Sequence, residues 1–388
     1  MPGARSSTSS SHDRYAIPAE YQTWDIPMAG DARFSWEYDG GRERLLALYQ
    51  KGKDKQWDST TRIDWDLPID PDDPLGMPEQ TIPIYGSRTW QKLGPRDVAE
   101  LRRHAVAWQF SQFLHGEQGA MVCSARIVET VPDLDSKFYA ATQTMDEARH
   151  AETYARFLQE KVGLLYPINT HLRSLLDDTL RDSRWDMPYL GMQVLIEGLA
   201  LAAFGVLRDM TQVALPKQIL AYVMQDEARH VAFGRMALRD YYAALTEAER
   251  REREDFVIEG CYLMRDRFRA QEVWENLGYD VADCLETVDS SPFMQAFRSL
   301  LFSRIVPCVR DIGLWSERIQ AAYDDMGVLG MAGVRLEDLM TADEDAAEGL
   351  DRERREKAEE AARAAEVDET IALGAGAAGL GTSEAAGG

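Results

Sequence analysis

The pentapeptide Asp-Glu-Ala-Arg-His stands twice in this chain, at Asp146–His150 and at Asp226–His230, 80 residues apart. A glutamate and a histidine three residues apart on a helix project from one face. Glu147 with His150, and Glu227 with His230, therefore each aim a carboxylate and an imidazole at one point. Thirty residues before each of these glutamates lies another in an apolar stretch, Glu117 in Phe113–Met121 and Glu197 in Met192–Leu201. Four glutamates and two histidines in that order are the ligand set of a carboxylate-bridged two-metal site in a four-helix bundle.

Iron and manganese ions suit such a mixture of carboxylate oxygen and imidazole nitrogen. Four ionised glutamates balance two divalent ions, whereas four unpaired carboxylates in an apolar bundle would be costly enough that some would take up protons. Two of the glutamates can bridge the ions, about 3.5–4 Å apart. Asp146 and Asp226 precede the ligand glutamates and could accept the second ring N–H of a ligating histidine. Arg149 and Arg229 could neutralise those aspartates in turn. One Glu-x-x-His pair arises by accident on a solvated helix. Two identical pentapeptides with matched upstream glutamates are hard to explain by packing alone, because buried glutamates are rarely left unpaired. His104 and His115 read as packing or surface residues; His115 lies two positions from Glu117 and faces elsewhere.

The elements that must position these groups are helical. Pro95 suits a helix start, and apolar residues recur at helical spacing over Val98–Val131. A second helix follows Pro132 and ends near Gly163, a shorter one covers His171–Asp182, and two long ones span about Pro188–Met210 and Pro216–Leu245. Glu247–Asn276 reads as one charged helix and Phe293–Tyr323 as an apolar one kinked at Pro307. Residues 1–14 are Ser-rich and expected to be disordered. Residues 15–95 read as an irregular arm over the helical body, with Trp24, Trp36, Trp57, Trp65 and Trp90 as anchors and a short helix around Arg42–Lys51. The body covers 96–327. Residues 328–388 form a tail, first acidic and then Gly/Ala-rich, expected to be largely disordered. It reads as a solubilising extension rather than a docking element.

The 388 residues carry a net charge of −23, and 13 acidic against 5 basic residues fall after Met340. An acidic surface without basic tracts argues against nucleic acid as a partner. Four cysteines lack C-x-x-C spacing, so neither a disulfide framework nor a zinc or iron–sulfur site is indicated. The polar N-terminus lacks the apolar segment of a signal peptide, and the longest apolar run is too short to span a bilayer. A cytoplasmic protein without membrane contact is expected. No Gly-rich dinucleotide motif is present, so electrons for redox chemistry must come from a separate ferredoxin or reductase.

These residues resemble the ferritin-like diiron-carboxylate superfamily over roughly Val98–Leu245. Both Asp-Glu-x-Arg-His copies look most like the soluble oxygen-activating members, such as the acyl-carrier-protein desaturases and the hydroxylase subunits of bacterial multicomponent monooxygenases. The resemblance implies an all-α ferritin-like four-helix bundle with additional C-terminal helices. It also implies two iron ions (Fe/Fe or Mn/Fe), with dioxygen as co-substrate. Glu117, Glu147 and His150 would serve one ion and Glu197, Glu227 and His230 the other, with Glu147 and Glu227 bridging. Asp146, Arg149, Asp226 and Arg229 would stand behind the ligands. A homodimer is a family-level expectation.

There are departures. The multicomponent monooxygenases carry a threonine one turn after the third-helix glutamate, where this chain has Leu201. Diiron arylamine N-oxygenases supply an additional histidine one or two turns before the last ligand, and Val223 stands seven residues before His230 here. Tyr154, four residues after His150, takes the place of the radical tyrosine of the ribonucleotide reductase small subunit, which makes it a candidate catalytic residue as well as a site-lining one. The expected function is a hydroxylase, desaturase or N-oxygenase acting on a small-molecule or carrier-bound substrate. The alternatives are an iron-oxidising or peroxide-handling ferritin-like protein, or a radical-generating subunit.

Overall fold

In this computed structural model the described residues are 26–27, 30–35, 38 and 41–379. The expected disorder of residues 1–14 and the anchors Trp24 and Trp36 lie outside them. The described residues contain helices and no strand. The first element is α1 (Glu43–Asp54). Four long helices follow: α2 (Pro95–Thr130), α3 (Leu134–Phe157), α5 (Asp186–Met210) and α6 (Ala214–Tyr242). Between α3 and α5 lies α4 (Thr170–Arg181).

Local chemistry sets these boundaries. Pro95 occupies the first turn of α2, where its missing N–H costs nothing. Asp133 caps α3 by accepting from Ser136 N at 2.9 Å. After Phe157 the chain widens into one π turn, Leu158–Val162, and stops at Gly163, whose φ of 70° suits glycine. The first part of α5, Tyr189–Ile196, is also π-helical and becomes α-helical at Glu197. This helix is long and apolar enough to cross a membrane, yet it is largely buried in the bundle.

The four helices pair as α2 with α3 and α5 with α6, and α1 lies across α3 and α6. Close approach has a sequence cause where α5 meets α4: a Cβ on Gly191 would overlap the Thr179 side chain. The arm belongs to the same compact unit as the body. Ile63, Trp65, Leu75, Ile82 and Ile84 are buried.

Beyond the bundle come α7 (Glu247–Asp266), α8 (Gln271–Asn276), α9 (Val281–Ser290), α10 (Pro292–Leu301), α11 (Ile305–Asp311) and α12 (Glu317–Asp325). Two expectations are corrected here. Glu247–Asn276 is broken by a left-handed Ala270. Pro307 is no kink: it sits in the first turn of α11, where helices accept proline.

Residues 341–388 form a second unit. The helix α13 (Leu336–Gly379) runs through most of the tail expected to be largely disordered. Its Ala, Glu, Arg and Lys content is strongly helix-forming.

Candidate metal centre

Glu117 comes from α2, Glu147 and His150 from α3, Glu197 from α5, and Glu227 and His230 from α6. All six side chains are buried. They form two overlapping clusters, Glu117–Glu147–His150–Glu227 and Glu147–Glu197–Glu227–His230, in each of which the ligand atoms lie within 4.8 Å of one another. Glu147 and Glu227 belong to both, the position that bridging requires. His150 Nδ1 stands 3.0 Å from Glu227 Oε1 and 3.3 Å from Glu147 Oε2. His230 Nδ1 stands 3.0 Å from Glu147 Oε1 and 3.5 Å from Glu227 Oε2.

The polar atoms left without a hydrogen-bond partner bear on what the cluster could hold. His150 Nδ1, His230 Nδ1, Glu147 Oε2, Glu197 Oε2 and both carboxylate oxygens of Glu227 are buried and unpartnered. A fold does not normally bury so many lone pairs at one point, and a pair of cations satisfies them together. The donor set therefore fits two hard-to-borderline transition ions.

The residues behind the ligands cross over between the two repeats. His150 Nε2 meets Asp226 Oδ2 at 3.0 Å, and His230 Nε2 meets Asp146 Oδ2 at 3.2 Å. Each aspartate therefore orients the histidine of the other pentapeptide. An Nε2–H donated to a carboxylate leaves Nδ1 free to ligate. Arg149 links the two aspartates, donating to Asp146 Oδ1 at 2.6 Å and to Asp226 Oδ2 at 2.7 Å, while Arg229 pairs with Asp226.

Electrostatics follow this arrangement. Burial pushes Glu117 and Glu197 well above the usual carboxylate range, and the neighbouring glutamates add to it. Burial also opposes charge on Glu147, but His230 and His150 outweigh it and hold that carboxyl low. For the imidazoles burial favours the neutral form, yet the surrounding carboxylates raise both well above the usual histidine value. Asp226 is held well below its ordinary value because Arg229, His150 and Arg149 overcome the cost of burial. Left to themselves, Glu117, Glu197 and the two imidazoles favour protonated forms whose protons metal must displace.

Several residues at the site carry no local signal of their role. Gln143 donates from one nitrogen to Glu147 Oε1 at 2.9 Å and to Glu197 Oε1 at 2.8 Å. It is a buried amide one turn before Glu147, a position matched by Gln193 before Glu197, and that repetition was the available clue. From the arm, Trp57 Nε1 donates to Asp226 Oδ2 at 2.8 Å. Gln56 Nε2 donates to Asp146 Oδ1 at 2.7 Å and its carbonyl accepts from Arg149. Nothing in the sequence near residue 57 announces these contacts.

Tyr154 is buried among Phe110, Phe113 and Phe204, with ring centroids 5.8, 5.8 and 5.9 Å away, and its hydroxyl has no partner. His104 and His115 lie apart from the cluster and contact Tyr166 through its hydroxyl and carbonyl respectively. Leu201 and Val223 are both fully buried and offer no ligand atom.

No curated protein matches the chain. Among solved structures, an R2-like ligand-binding oxidase (a Tyr-to-Phe variant with aerobically reconstituted Mn/Fe cofactor) aligns at 14% identity and a TM-score of 0.44, covering 72% of this chain and 100% of that one. The dimanganese(II) NrdF of Streptococcus sanguinis aligns at 10% identity and a TM-score of 0.45, covering 74% of this chain and 99% of that one. The family model described as p-aminobenzoate N-oxygenase AurF matches residues 40–313, which takes in the arm helix, all six cluster residues and the later helices through α11. The match holds although Val223 stands where arylamine N-oxygenases place a histidine. The chain belongs to the AurF family, and it is a ferritin-like dinuclear carboxylate oxidoreductase that activates dioxygen.

Proposed function

We propose that this chain transfers one oxygen atom to the nitrogen of an organic amine held beside the cluster. The observation that carries this reading is a narrow apolar pocket onto which Glu117, Glu197 and Glu227 open. Its walls include Phe113, Met192, Ile196 and Phe204. Its apolar walls keep bulk water from the reacting end.

The six cluster residues are the proposed ligands, with Glu147 and Glu227 shared. When bound, the metal pair supplies the binding and reduction of dioxygen. The protein's own residues do the positioning: Asp226 and Asp146 fix the imidazoles, Gln143 restrains Glu147 and Glu197, and Trp57 closes the network from the arm. Overall, an amine, dioxygen, two electrons and two protons give a hydroxylamine and water. The electrons come from an external ferredoxin or reductase. Tyr154 is assigned a packing role behind Phe113 and Phe204, which line the pocket. The four cysteines, all free and buried, support a reducing cytoplasmic setting, and a homodimer is proposed as its working form. Cell fractionation and sedimentation test those two points.

The central test is to load the protein anaerobically with ferrous iron, reduce it, and admit ¹⁸O₂ in the presence of arylamines. One ¹⁸O atom on the amine nitrogen by mass spectrometry is the expected result. Repeated ferrous oxidation with mineral formation and no labelled product would refute the oxygenase reading.

A further inference from the structure

The turn that follows α7 separates two spaces. Arg267 lines the pocket beside Glu117, Glu197 and Glu227, where its Nε has no hydrogen-bond partner. The next residue, Phe268, lines a different cavity, which none of the six cluster residues reaches. Ala270, held at a φ of 49°, adds to the same wall.

This outer cavity measures about 130 Å³, close to the ~150 Å³ of an engineered apolar cavity that takes up benzene. The arm contributes Leu75 and Ile82, α5 contributes Leu207 and Met210, and α10 contributes Phe293 and Phe297. The Phe297 ring meets Phe268 edge-on with centroids 5.4 Å apart and stacks on Phe293 at 6.3 Å. Such walls suit a flat apolar body.

Apolar walls alone do not say what fills a cavity, but the polar groups among them do. Arg102, the one cation among the described residues of the wall, is taken up by Asp73 Oδ1 and Met77 O, both at 2.7 Å. Thr81 Oγ1 donates to Pro78 O at 2.7 Å. Two donors are left over. Trp108 Nε1 and Gln109 Nε2, neighbours on α2 that both line the cavity, are buried and donate to nothing. Elsewhere the chain uses such groups. Trp57, Trp65 and Trp274 give their indole N–H to Asp226, Ser59 O and Arg269 O. Gln112, one turn on from Gln109, donates to Pro167 O. Trp108 is only 3% exposed, so bulk water does not replace the missing acceptor, and a buried donor without one is costly.

We propose that the outer cavity is a second ligand site, built for a small flat apolar molecule that carries a neutral carbonyl group. A carbonyl oxygen has two lone pairs, one for the Trp108 N–H and one for the Gln109 amide. The ring lies against Phe268 and Phe297. A carboxylate would find no free cation here, because Asp73 already neutralises Arg102. A hydrocarbon would leave both donors as they are. The inference does not depend on the oxygenase reading, since no cluster residue enters the site.

The test pairs acetophenone with α-methylstyrene, which has the same shape with a methylene in place of the carbonyl oxygen. Binding is measured calorimetrically to the full-length protein loaded with manganese(II) under argon. Acetophenone is expected to bind about tenfold tighter, as hydrogen bonds to otherwise unpaired buried donors provide. Trp108→Phe removes most of that difference, and Gln109→Leu reduces it. Ala105→Phe, at a half-buried position of the cavity wall, abolishes binding of both. Equal affinity for ketone and alkene, a preference unchanged in Trp108→Phe, ketone binding that survives Ala105→Phe, or no ketone binding up to about 10 mM overturns the proposal. A benzoate affinity that Ala105→Phe abolishes overturns it as well. Should Trp108→Phe fail to fold, the ketone–alkene comparison in the unaltered protein and in Gln109→Leu decides.

Discussion

Asp226→Asn is the sharpest perturbation of the crossed network. Although Asp226 opens the second pentapeptide, its Oδ2 receives His150 of the first at 3.0 Å, together with Arg149 at 2.7 Å and Trp57 at 2.8 Å. An asparagine there keeps the shape and removes the charge. Loss of an outer partner of this kind costs about tenfold to a hundredfold in metal affinity, or about 1.4–2.8 kcal/mol. That loss should fall on the ion held by Glu117 and His150, not on the one held by Glu197 and His230. Anaerobic cobalt(II) titration, followed by the visible spectrum, resolves the two sites when each is removed in turn. In a Glu197→Ala background, Asp226→Asn should weaken the remaining site by the full factor. In a Glu117→Ala background it should change affinity little. Asp146→Asn should show the opposite pattern. Equal effects in both backgrounds, or an effect confined to the site of the same pentapeptide, would refute the crossed arrangement. Arg149 keeps Asp146 at 2.6 Å, but Arg229 is left with Asp146 at 3.9 Å alone, which predicts a loss of up to about 3–5 kcal/mol in folding stability, so circular dichroism must first confirm the fold.

Metal loading should release protons, because Glu117, Glu197 and both imidazoles are held above their ordinary values and must deprotonate to ligate. Apparent affinity therefore falls as pH drops; calorimetry in buffers of different ionisation enthalpy would show no released protons if this were wrong. Tyr154→Phe should leave stability unchanged or raise it by about 1 kcal/mol, since a buried hydroxyl without a partner is removed. Loss of both turnover and a tyrosyl paramagnetic signal in that variant would instead restore a redox role. Asp283 is held at about 2, chiefly by Thr89 and Arg88 of the arm against the cost of burial. Its stabilising effect is thus present above the unfolded value of about 3.9 and lost as pH falls toward 2. Acid unfolding of Asp283→Asn should lack this component, and an unchanged acid limb in its melting curves would count against it.

The clustered residues were legible because helical spacing makes them a local pattern: Glu147 and His150 share a face whatever the rest of the chain does. The four long helices were legible for the same reason, since each carries its own apolar period and its own stop signal. What crosses between distant segments was not. Trp57 reaches Asp226 over 169 residues, and a tertiary contact of that reach has no periodicity to read. The break at Ala270 was hidden because alanine is a strong helix former and only packing holds it left-handed. The proline at 307 suggested a bend, but its place in a helix depends on where the helix begins. Arg267 looked like one more surface charge in a charged helix, and only its missing partner marks it out.

The wide turns of α5 bear on how tolerant this protein is of change. An α-helix advances about 100° per residue, so the extra residue carried by Tyr189–Ile196 acts as a phase offset between the start of the helix and Glu197. Tyr189 and Gly191 face their neighbours in one phase, and the carboxylate faces inward in the next. Deleting a single residue from this segment would leave composition, length and hydrophobicity almost untouched, yet swing Glu197 out of alignment. Insertions and deletions here should be far less tolerated than substitutions, and homologues should vary in side chain while keeping residue number.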